Sequence, residues 1–150
     1  MLNLYEELRA LALAFDAAGV EFALCGGLAL AVHGHPRATK DIDLVVPREQ
    51  VPLAKGVARA CGFVLSALPM KFSSSGIEIE RVSKIVGTDV LMLDLLIAND
   101  VLAPVWQSRL RMPWGAGELP VVSREGLISM KLAAGRPQDL ADLAKLQESE

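Results

Sequence analysis

The residues best equipped for chemistry lie in two short stretches, CGGLALAVHGHPRATKDIDLVV (25 to 46) and DVLMLDLLI (89 to 97). In an extended strand, residues two apart share a face with Cα atoms about 6.5 to 7 Å apart, so Asp41 and Asp43 stand side by side while Ile42 and Leu44 face the other way. Like charges at that separation repel, and burying either without a partner is costly; a divalent cation between them removes both penalties. Hard oxygen ligands suit Mg²⁺ or Mn²⁺, which keep waters and draw the rest of their shell from substrate phosphates. Asp94, in mid-run among Leu91, Leu93, Leu95 and Leu96, is a third carboxylate in comparable surroundings and likewise needs a ligand or a partner. Gly26-Gly27 supplies the complement, because residues without Cβ let backbone N–H groups approach a phosphate where a helix begins. Alone, Gly-Gly reads equally as a tight turn and Asp-x-Asp as a solvated edge pair. The ordered combination of strand, Gly-Gly, helix, basic approach, Asp-x-Asp strand and later buried carboxylate is what points to phosphate chemistry.

The elements that must position these groups follow from periodicity. Leu4, Leu8, Leu11 and Phe15 predict a helix over 3–18, with Gly19 in the place of a left-handed cap. Residues 20–25 read as a short strand, Gly26-Gly27 as a turn and 28–33 as a small-residue helix stopped before Pro36. Residues 42–46 form a β-branched strand ended by Pro47, and helical spacing resumes over 48–60. A weak strand at 63–67, a loop at 73–76, a half-exposed strand at 77–82 and a strand buried on both faces at 89–97 follow. A helix near 100–109, a turn-rich segment from Pro113 to Pro120, a short strand at 119–122, a helix capped by Ser123 and running to Ala134, and a last helix over 138–147 complete the reading. This predicts an α/β (α+β) chain, a single domain over 1–150 with a mixed central sheet flanked by helices.

Composition narrows the class further. An apolar content of 52% with few aromatics suits an aliphatic core, and the net charge of −3 argues against binding nucleic acid through a bulk positive field. Cys25 and Cys61 lack a CxxC spacing and read as core fillers; with no basic-then-apolar leader, a reduced, cytoplasmic setting is expected. No apolar run reaches the roughly 18 to 20 residues of a membrane span.

The motifs resemble those of the DNA polymerase β-like nucleotidyltransferase superfamily: a hydrophobic residue and Gly-Gly, then Asp-x-Asp, then a later strand carboxylate. Here Cys25-Gly26-Gly27, thirteen intervening residues, Asp41-Ile42-Asp43 and Asp94 fill those places. Within it the chain is similar to the small bacterial AbiEii-type group, through Arg37, Thr39, Lys131, Arg136, Asp139 and Asp142, over about residues 20–143. The resemblance implies the nucleotidyltransferase fold, metal ligation by Asp41, Asp43 and Asp94, and activation of an attacking hydroxyl by Asp94. It implies attack on the α-phosphate of a nucleoside triphosphate with loss of pyrophosphate, and a toxin with an antitoxin partner. The acceptor, whether RNA, protein or small molecule, is left open. The last matched helix lies close to the end of the sequence, which leads us to expect a partner subunit or a second protomer at the acceptor site.

Gly26, Gly27, Arg37, Thr39, Lys40 and Lys131 are the expected nucleotide-binding residues, the cations by neutralising phosphate. Arg37, Thr39 and Lys40 read equally as a solvated loop, and Lys131 as a solvent-facing side chain. Arg136 with Asp139 is expected as an ion pair near a helix start, and Arg81 and Lys84 as substrate contacts or a solvated rim. Two readings compete with catalytic transfer: a non-catalytic nucleotide- or partner-binding module of the same fold, and a metal-dependent phosphohydrolase using His33-x-His35 beside Asp-x-Asp.

Overall fold

The computed structural model describes residues 3–148. Its elements run α1 Leu4–Ala18, β1 Ala23–Cys25, α2 Gly26–Val32, β2 Asp41–Val46, a 3-10 turn Arg48–Gln50, α3 Val51–Ala60, β3 Leu65–Ser66, β4 Met70–Lys71, β5 Glu78–Val86, β6 Asp89–Ile97, α4 Ala103–Gln107, β7 Leu110–Trp114, β8 Gly117–Val121, α5 Arg124–Ala134 and α6 Pro137–Glu148. They build one mixed sheet in the order β3-β5-β6-β2-β1-β8-β7, with β4 also paired to β5. The β2/β6 and β1/β8 pairs are parallel and the remaining pairs antiparallel.

Local signals start α1 where the sequence places it. Asn3 accepts hydrogen bonds from the N–H groups of Tyr5 and Glu6, and Gly19 closes the helix at φ +74°, a conformation that suits glycine. Leu8, Leu11 and Phe15 are its buried stripe, and α1 packs on α3 and β2. The centre of the core is β2 and β6, whose Ile42, Leu44, Leu93 and Leu95 are fully buried. Burying each such leucine stabilises the fold by roughly 1.5 to 3 kcal/mol relative to exposure. Among the described residues no helix is long and apolar enough to cross a membrane.

Several boundaries differ from expectation. Gly26-Gly27 is not a turn before a helix but the first turn of α2 itself. The helix expected near 100–109 contracts to the five residues of α4. The segment expected to be turn-rich forms the β7–β8 hairpin around Gly115-Ala116, with Trp114 opposite Gly117. Pro113 is tolerated because β7 is the sheet's edge, where a missing N–H breaks no ladder. Pro120 is tolerated because β8 meets β1 only at its far end, through Leu24 and Val121.

Candidate functional site

The site is assembled by strand register. Asp43 of β2 lies opposite Asp94 of β6, Asp94 lies opposite Arg81 of β5, and Cys25 of β1 lies opposite Asp43. Register partners point to one side of a sheet, as do residues two apart along a strand. Asp41, Asp43, Asp94 and Arg81 therefore share one face, and Ile42, Leu44, Leu93 and Leu95 hold the same strands from the other. This is the face-sharing of Asp41 and Asp43 expected from their spacing, with Asp94 beside them.

Electrostatics distinguishes the three carboxylates. Burial, with the charges of Asp94 and Asp41, pushes the Asp43 carboxyl up to about 7. Burial and Asp94 raise Asp41 as well. Among the described residues, Asp41 Oδ1 is the one buried side-chain oxygen or nitrogen without a hydrogen-bond partner. An orphaned buried carboxylate oxygen beside a second strained carboxylate is the donor set a hard divalent cation fits. Asp94, 5% exposed, is engaged differently: Arg81 Nε and Nη2 donate to its two oxygens at 2.7 and 2.9 Å. In this arrangement no three His, Cys, Asp or Glu side chains among the described residues are gathered into a metal-holding group.

The glycines have a steric reason as well as a chemical one. Gly26 sits at φ +69°, and a Cβ there would overlap the Asp43 carboxylate. A Cβ on Gly27 would come within 2.9 Å of Thr39 Cβ and Oγ1 and 3.3 Å of Arg37 Cζ. The start of α2 is thus pressed between the acidic strand and the loop leading into it. Lys40 is exposed, and its charge acts on Asp41.

Arg37 and Lys131, expected to reach phosphate, instead both bind Asp142. Arg37 Nε and Nη2 donate to the Asp142 oxygens at 3.0 and 3.1 Å. Lys131, 6% exposed, lies 3.1 Å from Asp142 Oδ2 and 3.3 Å from Asp139 Oδ1, so its ammonium is not turned to solvent. The physical reason is that Asp139 and Asp142 are themselves buried, and buried carboxylates must be paired. Arg136 binds Asp139 at 2.7 Å, the expected ion pair, while its guanidinium stays largely in solvent. Burial works to raise Asp139 and Asp142, but their hydrogen bonds to Arg136 and Arg37, with the Lys131 charge, hold both below the usual carboxylate value. The charges of Lys131 and Arg136 also act on Asp43, so the α5–α6 junction faces the carboxylate cluster.

Two further expectations are resolved. His33 Nε2 donates to the Val122 carbonyl at 2.9 Å, the arrangement of a structural histidine that ties α2 to the end of β8. Burial, with Asp43, pushes the Cys25 thiol well up, as suits a core filler. Lys84 is neither a rim charge nor placed at the cluster: it binds Glu7 of α1 at 3.0 Å. Sequence reasoning missed the Arg81–Asp94 pair. Its signal was available, because the two residues are equidistant from the Gly87-Thr88 hairpin turn.

The family model described as nucleotidyl transferase AbiEii toxin, Type IV TA system, matches residues 8–150. No curated protein matches the sequence. Among solved structures, TM1012 of Thermotoga maritima, a candidate nucleotidyltransferase, is 18% identical with TM-score 0.60, covering 99% of this chain and 97% of its own. The antibiotic-resistance factor ANT(2'')-Ia is 18% identical with TM-score 0.61, covering 96% and 82%. The lincosamide antibiotic adenylyltransferase LnuA, solved with lincomycin bound, is 14% identical with TM-score 0.58, covering 95% of each chain. At these identities the structural likeness establishes the fold, which is the mixed α/β architecture expected from the sequence.

Proposed function

The chain belongs to the AbiEii nucleotidyltransferase family, and from that premise we propose that it transfers a nucleotidyl group from a nucleoside triphosphate to an acceptor hydroxyl as the toxin of a toxin–antitoxin pair. The observation that carries the reading is the register-built cluster of Asp41, Asp43 and Asp94 on one sheet face, with the Gly26 backbone pressed against Asp43. Asp41, Asp43 and Asp94 are assigned to Mg²⁺ or Mn²⁺, because the orphaned Asp41 oxygen and the raised Asp43 carboxyl both call for a cation and Asp94 lies beside them on the same face. Bound there, such an ion supplies charge neutralisation to the triphosphate and to the pyrophosphate that departs.

The chain's own groups divide the remaining work. Without Cβ atoms, Gly26 and Gly27 let the backbone at the start of α2 lie directly against Asp43 and Thr39, so that its N–H groups meet the α-phosphate beside the carboxylate strand. Exposed Lys40 and Arg136 flank the cluster and contribute positive charge toward the phosphates. Arg37, Thr39 and Lys131 act as positioning residues: Thr39 packs on Gly27, and Arg37 and Lys131 tie the loop and the α5–α6 junction together through Asp142. The acceptor oxygen forms a new bond to the α-phosphorus as the bond to the bridging oxygen breaks, and pyrophosphate carries away the released electron pair. Asp94 is assigned the hydroxyl proton. The acceptor enters from the face that carries these carboxylates, and an antitoxin is the expected partner of the assembled toxin.

The test is incubation with labelled nucleoside triphosphates, Mg²⁺ and total cellular RNA or protein. Pyrophosphate release and label transfer are expected and should vanish in Asp43→Ala. Transfer that survives this substitution would remove the carboxylate cluster from the mechanism.

A further inference from the structure

Among the described residues the cluster of three carboxylates has one cation in direct contact with a member, and it is Arg81, bound to Asp94. Its guanidinium fork engages both oxygens of Asp94 while touching neither Asp41 nor Asp43. The pairing is strongly specified by topology, since Arg81 and Asp94 are opposite residues of the β5–β6 hairpin. The two partners differ in access to water: the Asp94 side chain is 7% exposed and that of Arg81 is 33% exposed. A guanidinium can therefore swing from Asp94 into solvent at little desolvation cost, whereas Asp94 cannot leave the sheet face.

We propose that Arg81 is the resident counter-cation of this cluster, holding Asp94 until a divalent cation displaces it, so that arginine and metal compete for one carboxylate. The proposal rests on the metal-dependent reading above. It is consistent with three carboxylates on one face of which, among the described residues, no three are gathered into a metal-holding group: the third is engaged by a neighbour in register. The opposing arrangement is a supporting arginine, in which the fork keeps its lone pairs and the metal takes the remaining ones, a carboxylate having about four such sites. These two arrangements predict opposite effects of removing the arginine.

The experiment is titration of the intact protein with Mn²⁺ in the absence of nucleotide, reading free Mn²⁺ by electron paramagnetic resonance. Competition predicts that Arg81→Gln binds Mn²⁺ roughly tenfold more tightly than wild type, the order of a lost charge-assisted pair. It also predicts a larger Mn²⁺-induced rise in melting temperature. Arg81→Lys, which retains the charge but loses the fork, should fall between the two, and it decides the matter should Arg81→Gln not fold. In an Asp94→Asn background, Arg81→Gln should change Mn²⁺ affinity no further. Unchanged or weakened binding in the Arg81 variants, or no Mn²⁺ binding by any form, overturns the proposal. Because no nucleotide is present, a tightened Mn²⁺ isotherm without pyrophosphate release would sink the transfer reading alone, and transfer with an unchanged isotherm would sink the competition alone.

Discussion

Asp43→Asn should stabilise the protein, and should do so only where Asp43 is charged. In the unfolded chain this carboxyl releases its proton near 3.8, and in the folded protein near 7. Between those values the native state binds more protons than the unfolded one, so this group makes wild-type stability fall as pH rises. Its favourable contribution is complete below about 3.8 and gone above about 7. The difference, about three decades of proton affinity, corresponds to about 4 kcal/mol. That is an upper bound, because Asp43 retains partial contact with water and its neighbours can relax. Asparagine keeps the shape and removes the charge, so the variant should melt on the order of 10 °C higher than wild type at pH 8, from about 2 to 4 °C per kcal/mol for a chain of this size. At pH 4 the two should melt together. The assay is thermal unfolding by circular dichroism at pH 4, 6 and 8 with a chelator present. A pH-independent gain, or no gain at pH 8, would refute the conclusion that burial and carboxylate repulsion strain this residue.

Gly26→Ala should lower the melting temperature by several degrees and abolish transfer, since a side chain at φ +69° costs roughly 1 to 2 kcal/mol before the overlap with Asp43 is counted; an unchanged melt would mean that β2 can withdraw. Lys131→Met should cost about 1.5 to 3 kcal/mol in urea unfolding, because Asp139 and Asp142 lose the ammonium they share while keeping Arg136 and Arg37, and Asp142→Asn in that background should recover part of the loss. Asp139 and Asp142 have lowered values, so the stability they supply is present above 3.8 and lost as pH falls through those values; acid unfolding should therefore shift to higher pH in Arg37→Ala, which frees Asp142 from its fork.

What the sequence reveals of the site is what strand geometry alone encodes. The alternation that sets Asp41 and Asp43 together, and the apolar run that makes Asp94 conspicuous, need no knowledge of which strands pair. Arg81–Asp94 requires the register of a hairpin, which has no periodic signature but can be counted from a turn. Arg37–Asp142 joins residues 105 apart, and no local pattern announces it, so both Arg37 and Lys131 looked free for phosphate. The β7–β8 hairpin stayed hidden because its prolines and glycines are turn-formers whose placement at a sheet edge becomes tolerable only once the sheet exists.

The Arg37–Asp142 bond also bears on the order of assembly. The loop that packs on Gly27 is fastened by a residue of α6, and β1 is bracketed by β2 and the much later β8. Contacts this distant along the chain close late in folding, because the entropy of the intervening loop must be surrendered first. A nascent chain that has made α1 through β6 thus already carries every carboxylate of the cluster, yet lacks the fastening of the loop against Gly27 until α6 emerges. The face that carries the carboxylates would stay unfastened on the ribosome-bound chain and be completed only when α6 docks.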